Sequence, residues 1–357
     1  MSDAVLALAR PEIRALKAYQ PAGYAPDAVR LNANEAPWRA GGDASGRGLN
    51  RYPEARPADL TALLAAHYGV APDETFVTRG TSEAIDLLIR CFCRPGRDDI
   101  VICPPTFGMY QVYADIQNAG VRRVPLSGPD FRLDVDAVLA AWDERARLLF
   151  LTSPNNPTGN SIPAEVIGRL CESLAGRGVV VLDAAYVEFA DEDPCPRLLA
   201  AHDNLVVLRT LSKAYGLAGA RCGVALGRPA VVRLLGKVMP PYAIPTPTVE
   251  AATAAVANES FRVMPERIRA LCAERERVSA ALAACPGVVR VWPSDANFVL
   301  VRFRDSAEAL ARAREAGLLL RDFGAEPNLR NCLRITIGET ADNDRLLAAL
   351  GRQAVNA

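Results

Sequence analysis

Short apolar runs separated by segments of helical length constrain this fold more than any other feature of the sequence. The runs are Thr75–Thr78, Ile100–Cys103, Leu148–Leu151, Val179–Leu182 and Leu205–Leu208. Helices are predicted between and after them at Glu83–Phe92, Gly108–Asn118, Pro163–Ala175 and Leu217–Gly223. Because continuous apolar strands that alternate with helices are typical of parallel strands covered on both faces, the pattern predicts an α/β fold with a mostly parallel sheet.

The pattern changes after Met239, where closely spaced prolines interrupt the alternation. A long charged helix is then predicted over Val249–Ala284. The remaining elements are predicted as strand, strand, helix, strand, strand and helix, at Val288–Trp292, Phe298–Phe303, Ser306–Ala316, Leu318–Leu320, Leu333–Ile337 and Asp344–Gln353. This order predicts a smaller C-terminal α+β domain with a mostly antiparallel sheet. The predicted domains are an N-terminal arm, 1–30, a large domain, 31–240, and a small C-terminal domain, 241–357.

Composition and charge exclude several function classes for this 357-residue chain. Its 41 basic and 41 acidic residues give a formal net charge of zero, so no overall field favours nucleic acid or an anionic membrane. Apolar runs of strand length and the lack of a signal-peptide pattern predict no membrane partner. Two isolated histidines, His67 and His202, argue against a histidine-based metal site. Nine cysteines without a CxxC pair favour reduced thiols and a cytoplasmic location.

Polar or aromatic side chains follow the strands at the edge where open parallel sheets bind ligands. After the first strand, Gly80, Thr81 and Ser82 begin a helix, where backbone N–H groups and hydroxyls can hold a phosphate. An ordinary helix cap is the alternative interpretation of this tripeptide. After the second strand, Phe107 presents a ring that can stack on a flat cofactor or, alternatively, pack in the core.

The third and fourth strands end in more specific sequences. The string Thr152–Gly159 (TSPNNPTG) contains turn-forming Asn and Pro residues but is more specific than a turn requires. Asp183 directly follows four aliphatic residues and precedes Ala184–Tyr186. A carboxylate in this position is partly buried and needs a cationic or hydrogen-bonding partner, unless it serves as a helix cap.

The fifth strand leads to Thr210, Ser212 and Lys213. The chain contains three lysines beside 38 arginines, so a lysine at a strand end stands out. A lysine amine can lose its proton and form an imine with a carbonyl, whereas a guanidinium stays protonated. A solvated surface charge is the alternative interpretation of Lys213 alone. Together, the amine, the lone carboxylate and the phosphate donors at one sheet edge indicate a site for pyridoxal phosphate.

These motifs resemble those of the fold-type I aminotransferases that use pyridoxal phosphate. The resemblance is carried by Asn155–Gly159 (NNPTG), Asp183–Tyr186 (DAAY) and Ser212-Lys213 with Arg221. More narrowly, the chain resembles the histidinol-phosphate aminotransferase family from about residue 10 to residue 350. The segments that carry this closer resemblance are Leu31–Glu35 (LNANE), Asn50–Pro53 (NRYP), Pro104–Tyr110 (PPTFGMY), Leu318–Asp322 (LLLRD) and Cys332–Gly338 (CLRITIG).

The resemblance implies a fold-type I architecture and a role for each matching residue. It implies that Lys213, Asp183 and Tyr186 are catalytic, with Lys213 as the Schiff-base lysine and Asp183 as the partner of the pyridinium nitrogen. Tyr186 and Asn156 are implied to hydrogen-bond the ring oxygen, and Phe107 to stack on the ring. The implied phosphate-binding residues are Gly80, Thr81, Ser82, Thr210, Ser212 and Arg221, with Tyr52 reaching the cofactor of the partner subunit.

The same resemblance implies a homodimer with shared active sites and a reaction of histidine biosynthesis. In that ping-pong reaction L-histidinol phosphate and 2-oxoglutarate become imidazole acetol phosphate and L-glutamate. Arg334 is implied to grip an anionic substrate group. Further implied substrate contacts are Tyr19, Asn34, Tyr242 and Arg321. The chain departs from the family at Ala184, where Glu is frequent, and at Phe107, where Tyr is frequent, but neither change removes a required group.

Other functions are compatible with parts of this pattern. An aromatic amino-acid aminotransferase or a threonine-phosphate decarboxylase-like enzyme could share every cofactor residue. A cofactor-sensing regulator needs a DNA-binding module ahead of the domain, and about 30 residues precede Asn32. A nicotinamide-dependent dehydrogenase needs G-x-G-x-x-G after an early strand, which the sequence lacks. A purely structural role would leave the polar groups at the strand ends unexplained.

Overall fold

The computed structural model describes residues 2–23, 28–258, 261 and 263–351. Within these ranges the chain forms one sheet of seven strands and one of four, and helices pack against both. None of the helices in the described ranges is long and apolar enough to cross a membrane. The predicted fold class, a mostly parallel sheet covered by helices plus a smaller α+β unit, is confirmed. The domain boundaries stay a prediction.

The strands of the large sheet are β1 Thr75–Thr78, β2 Asp99–Ile102, β3 Gly120–Arg123, β4 Ala146–Thr152, β5 Val179–Asp183, β6 Leu205–Thr210 and β7 Gly223–Leu226. They pair in the order β1-β7-β6-β5-β4-β2-β3. Strand β7 is antiparallel to its neighbours β1 and β6, and the other pairs are parallel. All strands except β7 therefore point the same way, and their carboxyl ends meet along one edge of the sheet.

Helices surround the large sheet and create an apolar core on each of its faces. They are α1 Ser2–Leu8, α2 Pro11–Ala15, α3 Ala58–Tyr68, α4 Thr81–Phe92, α5 Met109–Gln117, α6 Val135–Ala140, α7 Ala164–Ser173, α8 Cys195–Ala201 and α9 Pro229–Val238. Successive side chains of a strand point to opposite faces. In β4, Leu149 and Leu151 enter one core, while Leu148 and Phe150 enter the other. Burial on both faces explains the continuous apolar runs of the sequence.

Five strands of the large sheet, β1, β2, β4, β5 and β6, coincide with the predicted runs to within two residues, and α4, α5 and α7 confirm three predicted helices. The helix predicted at Leu217–Gly223 is wrong. That segment holds a 3₁₀ turn at Ala218–Ala220, after which Arg221 takes a left-handed conformation with φ 53° and the chain enters β7. Strand β3 (GVRR) escapes prediction because its two arginines leave no continuous apolar run, and β7 escapes because it begins at Gly223, which the predicted helix included.

The C-terminal part contains helices α10 Thr246–Ala257, α11 Met264–Ala283, α12 Ser306–Glu315 and α13 Thr340–Leu350, and strands β8 Val288–Val291, β9 Phe298–Phe303, β10 Arg321–Asp322 and β11 Cys332–Thr336. The strands form an antiparallel sheet in the order β10-β11-β9-β8. The predicted single helix over Val249–Ala284 is wrong: α10 ends before Asn258, and Pro265 lies in the first turn of α11, where proline is tolerated. The strand predicted at Leu318–Leu320 is also displaced, since the ladder begins at Arg321.

Candidate active site

The carboxyl edge of the large sheet contains a cavity of about 170 Å³. Loops that follow β1, β2, β4, β5 and β6 meet there because these strands share one direction. The residues that line the cavity are Thr81, Ser82, Phe107, Thr152, Asn156, Asp183, Ala185, Tyr186, Thr210, Ser212, Lys213 and Arg221. The structure thus brings together the residues predicted to bind a cofactor, apart from Gly80, which adjoins the lining, and Tyr52. Their individual roles stay predictions.

Asp183, the last residue of β5, places a carboxylate in the cavity wall and is 3% exposed. The hydroxyl of Tyr110 donates to Asp183 Oδ2 over 3.0 Å, and the backbone N–H of Ala185 donates to Oδ1 over 3.2 Å. Burial raises the pKa of Asp183 to about 6, although these hydrogen bonds and the charge of Lys213 oppose the rise. No cationic nitrogen of the described residues lies within 4.0 Å of this carboxylate. The cavity therefore offers a buried acid to a cationic ligand.

Lys213 lies in the loop after β6, and its Nζ is 5.5 Å from the ring centroid of Tyr186. Desolvation lowers the pKa of Lys213, the guanidinium charges of Arg334 and Arg221 lower it further, and Asp183 opposes them. The residue as a whole is exposed, so a ligand can reach the amine from solvent. An accessible lysine with a lowered pKa can act as a nucleophile and as a proton acceptor.

An anion-binding cradle forms at the N-terminus of the twelve-residue helix α4. Its first flanking residue, Gly80, has φ 80°, and a Cβ there would meet Arg221 Nη2 at 2.6 Å. Glycine therefore allows the Arg221 guanidinium to approach the start of the helix. Arg221 Nη1 donates to Ser212 Oγ over 3.3 Å, and the Ser212 backbone N–H donates to Thr210 Oγ1 over 3.1 Å. The helix dipole, the hydroxyls and the guanidinium suit a phosphate group.

Tyr186, Asn156 and Phe107 form the remaining walls that face a flat ligand. Tyr186 is 7% exposed, and its burial raises the pKa of its phenol to about 12 despite the nearby charge of Arg334. Asn156 Oδ1 accepts a hydrogen bond from Arg334 Nη1 over 2.6 Å, which leaves the Nδ2 group for a ligand acceptor. The ring of Phe107 packs edge-on against Tyr110 with centroids 5.6 Å apart.

Arg334 on β11 and Arg321 on β10 are cross-strand partners next to this cavity. The Arg334 guanidinium lies over the rings of Phe298 and Phe323, 5.2 and 5.4 Å from their centroids. Burial lowers the pKa of Arg334, with Tyr186 opposing and Arg321 contributing to this change. Its Nε is buried without a hydrogen-bond partner, and neither arginine has a carboxylate within 4.0 Å in the part of the chain that is described. Such a pair of cations suits an anionic substrate group.

Tyr52, Tyr242, Tyr19 and Asn34 lie outside the cavity, on segments without helix or strand. The rings of Tyr52 and Tyr242 stack with centroids 4.8 Å apart, and Tyr242 Oη accepts a hydrogen bond from the backbone N–H of Ala22. Tyr19 is 69% exposed and Tyr52 51%. A single chain therefore brings the predicted cofactor ligands together but leaves most of the predicted substrate contacts open to solvent.

Tyr110 and Thr152 bear on the site although sequence analysis assigned them no role. Tyr110 on α5 is fully buried, and its Oη lies 2.7 Å from Thr152 Oγ1 as well as 3.0 Å from Asp183 Oδ2. Thr106 Oγ1 continues this network, 3.1 Å from Thr152 Oγ1. A signal was available, because Tyr110 ends the PPTFGMY segment and Thr152 begins the TSPNNPTG string. The network fixes the position of the Asp183 carboxylate.

The donor set of the cavity fits pyridoxal phosphate. A ligand with a cationic ring nitrogen, an aldehyde and a phosphate matches, in turn, the Asp183 carboxylate, the Lys213 amine and the cradle at α4. The Asp183 carboxylate is the most demanding of these groups, since it is buried and no cationic nitrogen of the described residues lies within 4.0 Å of it. A ligand that brings a positive charge would remove that penalty.

Comparison with known proteins shows that the chain is similar to aminotransferases. The family described as aminotransferase class I and II matches residues 13–350. The chain is 45% identical to the histidinol-phosphate aminotransferase of Stenotrophomonas maltophilia, over 98% of this chain and 97% of that protein. The structure of histidinol-phosphate aminotransferase from Sinorhizobium meliloti in complex with pyridoxal-5'-phosphate has a TM-score of 0.76 and 28% identity, covering 84% of this chain and 82% of that chain. L-threonine-O-3-phosphate decarboxylase from Porphyromonas gingivalis has a TM-score of 0.71 and 25% identity, covering 85% and 90%.

Proposed function

Because the chain belongs to the class I and II aminotransferase family, we propose that it transfers an amino group between L-histidinol phosphate and 2-oxoglutarate. The products are imidazole acetol phosphate and L-glutamate, and the reaction belongs to histidine biosynthesis. The family, the fold-type I architecture and the cofactor pyridoxal 5'-phosphate, which the sequence predicted, are confirmed. The residue roles that follow are part of the proposal.

The buried carboxylate of Asp183 is the observation that carries the proposal. It lies in one cavity with an accessible lysine of lowered pKa and an anion cradle, and it has no cationic partner in the described ranges. A carboxylate that served only the fold would be paired or solvated, since an uncompensated buried charge costs several kcal/mol, in a rough estimate. The arrangement becomes favourable when a cationic ring nitrogen occupies the cavity.

The residues of the cavity divide the chemical work. Pyridoxal phosphate, when bound, supplies an aldehyde carbon and a ring that accepts an electron pair from the substrate carbon. Lys213 Nζ holds the cofactor covalently and moves the proton at the substrate Cα, because its lowered pKa keeps a fraction of the amine neutral. Asp183 holds the ring nitrogen in its protonated form. Asn156 and Tyr186 orient the ring, and the cradle at α4 holds the phosphate.

Arg334 and Arg321 select the substrate in this proposal. The phosphate of histidinol phosphate and the carboxylates of glutamate are both anions that a guanidinium binds through paired hydrogen bonds. The cross-strand arrangement of the two arginines provides two such groups side by side. One site can therefore accept each substrate in turn, as a ping-pong reaction requires. Tyr19, Asn34 and Tyr242 complete the substrate contacts in the assembled enzyme.

The enzyme is proposed to work as a homodimer with shared active sites. Large apolar side chains are exposed along the N-terminal segment: Leu16, Tyr19, Val29, Leu31, Trp38, Leu49 and Tyr52, with Leu31 92% and Trp38 73% exposed. An apolar surface of this kind marks an interaction site. A second copy of the chain would cover it and bring Tyr52 to the partner's cofactor. A cytoplasmic location, which the nine free cysteines favour, also stays a prediction.

An absorbance spectrum of the purified protein loaded with pyridoxal phosphate tests the proposed reaction. We expect the yellow band to bleach when histidinol phosphate is added and to return with 2-oxoglutarate. Phenylalanine and L-threonine O-3-phosphate serve as matched controls for the two alternative activities. Faster bleaching by phenylalanine, or release of carbon dioxide from threonine phosphate, would contradict the proposed substrate while leaving the cofactor assignment intact.

A further inference from the structure

An ion cluster lies outside the cavity, on residues that the reaction does not use; the side chains of Arg209 and Glu188 are buried, and Asp193 is exposed. Arg209, the next-to-last residue of β6, is 4% exposed. Its Nη2 donates to Glu188 Oε1 over 2.9 Å, and its Nη1 donates to Asp193 Oδ2 over 2.6 Å. The guanidinium also lies over the ring of Tyr68, 4.7 Å from the centroid. We call Arg209, Glu188 and Asp193 the Arg209 brace.

The positions of these residues along the chain connect two active-site loops. Glu188 lies in the 3₁₀ turn Val187–Phe189, two residues after Tyr186 in the loop that also begins with Asp183. Arg209 precedes Lys213 by four residues. The ion pair between Glu188 and Arg209 thus connects the segment that contains Tyr186 with the strand that precedes Lys213.

The residue on the other side of Lys213 is held by the same cluster. Tyr215, two residues beyond Lys213, is 9% exposed, and its Oη lies 2.8 Å from His67 Nε2. Burial and then the charge of Glu188 raise the pKa of Tyr215, so these two side chains lie close together. Burial and the charge of Arg209 lower the pKa of His67 to about 4, which keeps its ring neutral near pH 7. Lys213 is therefore flanked by two anchored residues, Arg209 and Tyr215.

Stability alone is a poor explanation of the Arg209 brace. Buried ion pairs contribute little net stability, because desolvation offsets their attraction. Here Glu188 Oε2, Arg209 Nε and Tyr68 Oη are buried without hydrogen-bond partners, which reduces the gain further. What the pair does supply is a fixed direction, because two guanidinium nitrogens on β6 reach two carboxylates of the segment between β5 and α8.

We propose that Glu188 and Arg209 are positioning residues. Their ion pair fixes the position of the Lys213 amine relative to the side chains of Asp183 and Tyr186. This inference rests on the proposed function, since it assumes that Lys213 carries the cofactor. Displacement of the amine by about 1 Å is enough to lower a rate about 100-fold in an enzyme. Loss of the Arg209 brace therefore lowers kcat more than it changes KM, because Arg334 and Arg321 still bind the substrate.

The three lysines of the chain, Lys17, Lys213 and Lys237, allow the position of the amine to be measured without the reaction. The cofactor-free protein is treated with an amine-acylating reagent over a range of pH, and each lysine peptide is quantified by mass spectrometry. Asp183, Tyr186, Arg221 and Arg334 are the ionisable groups near Lys213. Glu188 and Arg209 are not among the charges that shift the pKa of Lys213. A change in that pKa after their substitution therefore shows that the Lys213 amine has moved.

Glu188→Gln and Arg209→Lys are the test variants, because both keep the size of the side chain while weakening the paired contact. We expect the acylation rate of Lys213 near neutral pH to fall as its pKa moves toward that of a free lysine, while Lys17 and Lys237 keep their wild-type rates. We also expect kcat of the loaded enzyme to fall about 10- to 100-fold with KM near that of the wild type.

Asp99→Asn is the matched control, since Asp99 forms ion pairs with Arg122 and Arg145 at the opposite edge of the same sheet. It should lower the melting temperature without changing Lys213. An unchanged Lys213 profile in both test variants, or the same change in Asp99→Asn, overturns the inference. Failure of pyridoxal phosphate and borohydride to label Lys213 in the wild type would instead overturn the proposed function.

Discussion

The cofactor half and the substrate half of the active site differ in how firmly the chain holds them. The cofactor half consists of the residues that line the cavity, and the substrate half consists of Tyr19, Asn34, Tyr242 and Arg321. In the cofactor half, Asp183, Thr210 and Tyr186 are 3%, 4% and 7% exposed. In the substrate half, Tyr19 is 69% exposed and Arg321 lies on a strand of two residues. A single chain therefore assembles the cavity residues of the cofactor half, and the substrate half stays open to solvent.

The difference follows from what supports each half. The large sheet fixes the cofactor residues, because β2, β4, β5 and β6 each have ladders on both sides, the edge strand β1 pairs with β7, and an apolar core packs on each face. The substrate residues sit on segments whose backbone has few such contacts. Arg334 connects the halves, since it belongs to β11 and donates to Asn156 in the cavity. Closely held cofactor residues and less constrained substrate residues suit an enzyme that must bind two substrates in turn.

Lys213→Ala is the strongest test of the cofactor half. We expect amino transfer to fall by about 10⁴-fold or more, because the covalent attachment and the proton transfer are both lost. The fold should survive, since the Lys213 side chain is exposed. Steady-state rates and circular dichroism measure the two effects. Lys237→Ala is the control: that lysine lies on α9 and donates to the backbone of Arg14, so its loss should leave the rate unchanged. A Lys213→Ala enzyme with the wild-type rate would contradict the proposed roles of Lys213 in cofactor attachment and proton transfer.

Asp183 gives the cofactor-free protein a distinctive pH dependence. Its pKa of about 6 in the folded state lies above the ordinary 3.8, so folding favours the protonated form. The stabilisation is fully present below about pH 4 and is lost as pH rises toward 6, where the loss reaches roughly 3 kcal/mol and then levels off. Asp183→Asn, which cannot ionise, should lack this decline. Denaturant unfolding of both proteins without cofactor, at about pH 4 and pH 7, measures the difference.

Bound pyridoxal phosphate should reverse that pH dependence. A cationic ring nitrogen beside Asp183 lowers the pKa of its carboxyl, so the loaded wild-type protein keeps its stability at neutral pH. The loaded Asp183→Asn protein should then be the less stable of the two. Equal declines in wild type and variant without cofactor would show that another group, and not Asp183, titrates in this range.

Arg334→Met tests the residue that connects the two halves. We expect kcat/KM for histidinol phosphate to fall about 30-fold, because a charge-assisted hydrogen bond to the substrate anion contributes roughly 2 kcal/mol. The affinity for pyridoxal phosphate should change less, since Asn156 remains. Arg302→Met is a suitable control, because Arg302 lies on β9 with its guanidinium over Trp292 rather than over the rings beside the cavity. A larger loss of cofactor affinity than of substrate affinity would show that Arg334 serves cofactor binding and belongs to the cofactor half.

The sequence predicts the cofactor half far better than the substrate half, and the structure explains why. Asp183 is the last residue of β5 and Lys213 follows the end of β6 by three residues, so the location of each followed from the apolar strand before it. The Arg209 brace could not be predicted, because its ion pair joins residues 21 positions apart, one on β6 and the other in the 3₁₀ turn after β5. The helix expected at Leu217–Gly223 failed for a similar reason: pairing of β7 with β1 and β6 overrides the local sequence. Interactions across the core are invisible to local patterns.

Tyr52 provides the smallest and sharpest test, because it is a predicted cofactor contact that lies outside the cavity. Tyr52→Phe removes one hydroxyl and keeps the ring stacked on Tyr242. We expect the apparent Kd for pyridoxal phosphate to rise about tenfold, because a hydrogen bond to the anionic phosphate contributes roughly 1.5 kcal/mol. Cofactor titration followed by borohydride fixation and peptide mass spectrometry of the Lys213 peptide measures the affinity of each site. Tyr242→Phe, which keeps the same stack, is the control.

A mixed dimer decides which chain Tyr52 serves. One subunit carries Lys213→Ala and its partner carries Tyr52→Phe, and two different affinity tags isolate the hybrid. Only the Tyr52→Phe subunit retains Lys213, the lysine that the cofactor labels. If Tyr52 reaches the cofactor of the partner subunit, that lysine lies in a site completed by a normal tyrosine, and the hybrid labels with wild-type affinity. If Tyr52 serves its own chain, the hybrid shows the weakened affinity. The second result would mean that a single chain completes its own cofactor site, and the contrast between the two halves would then reflect substrate binding alone.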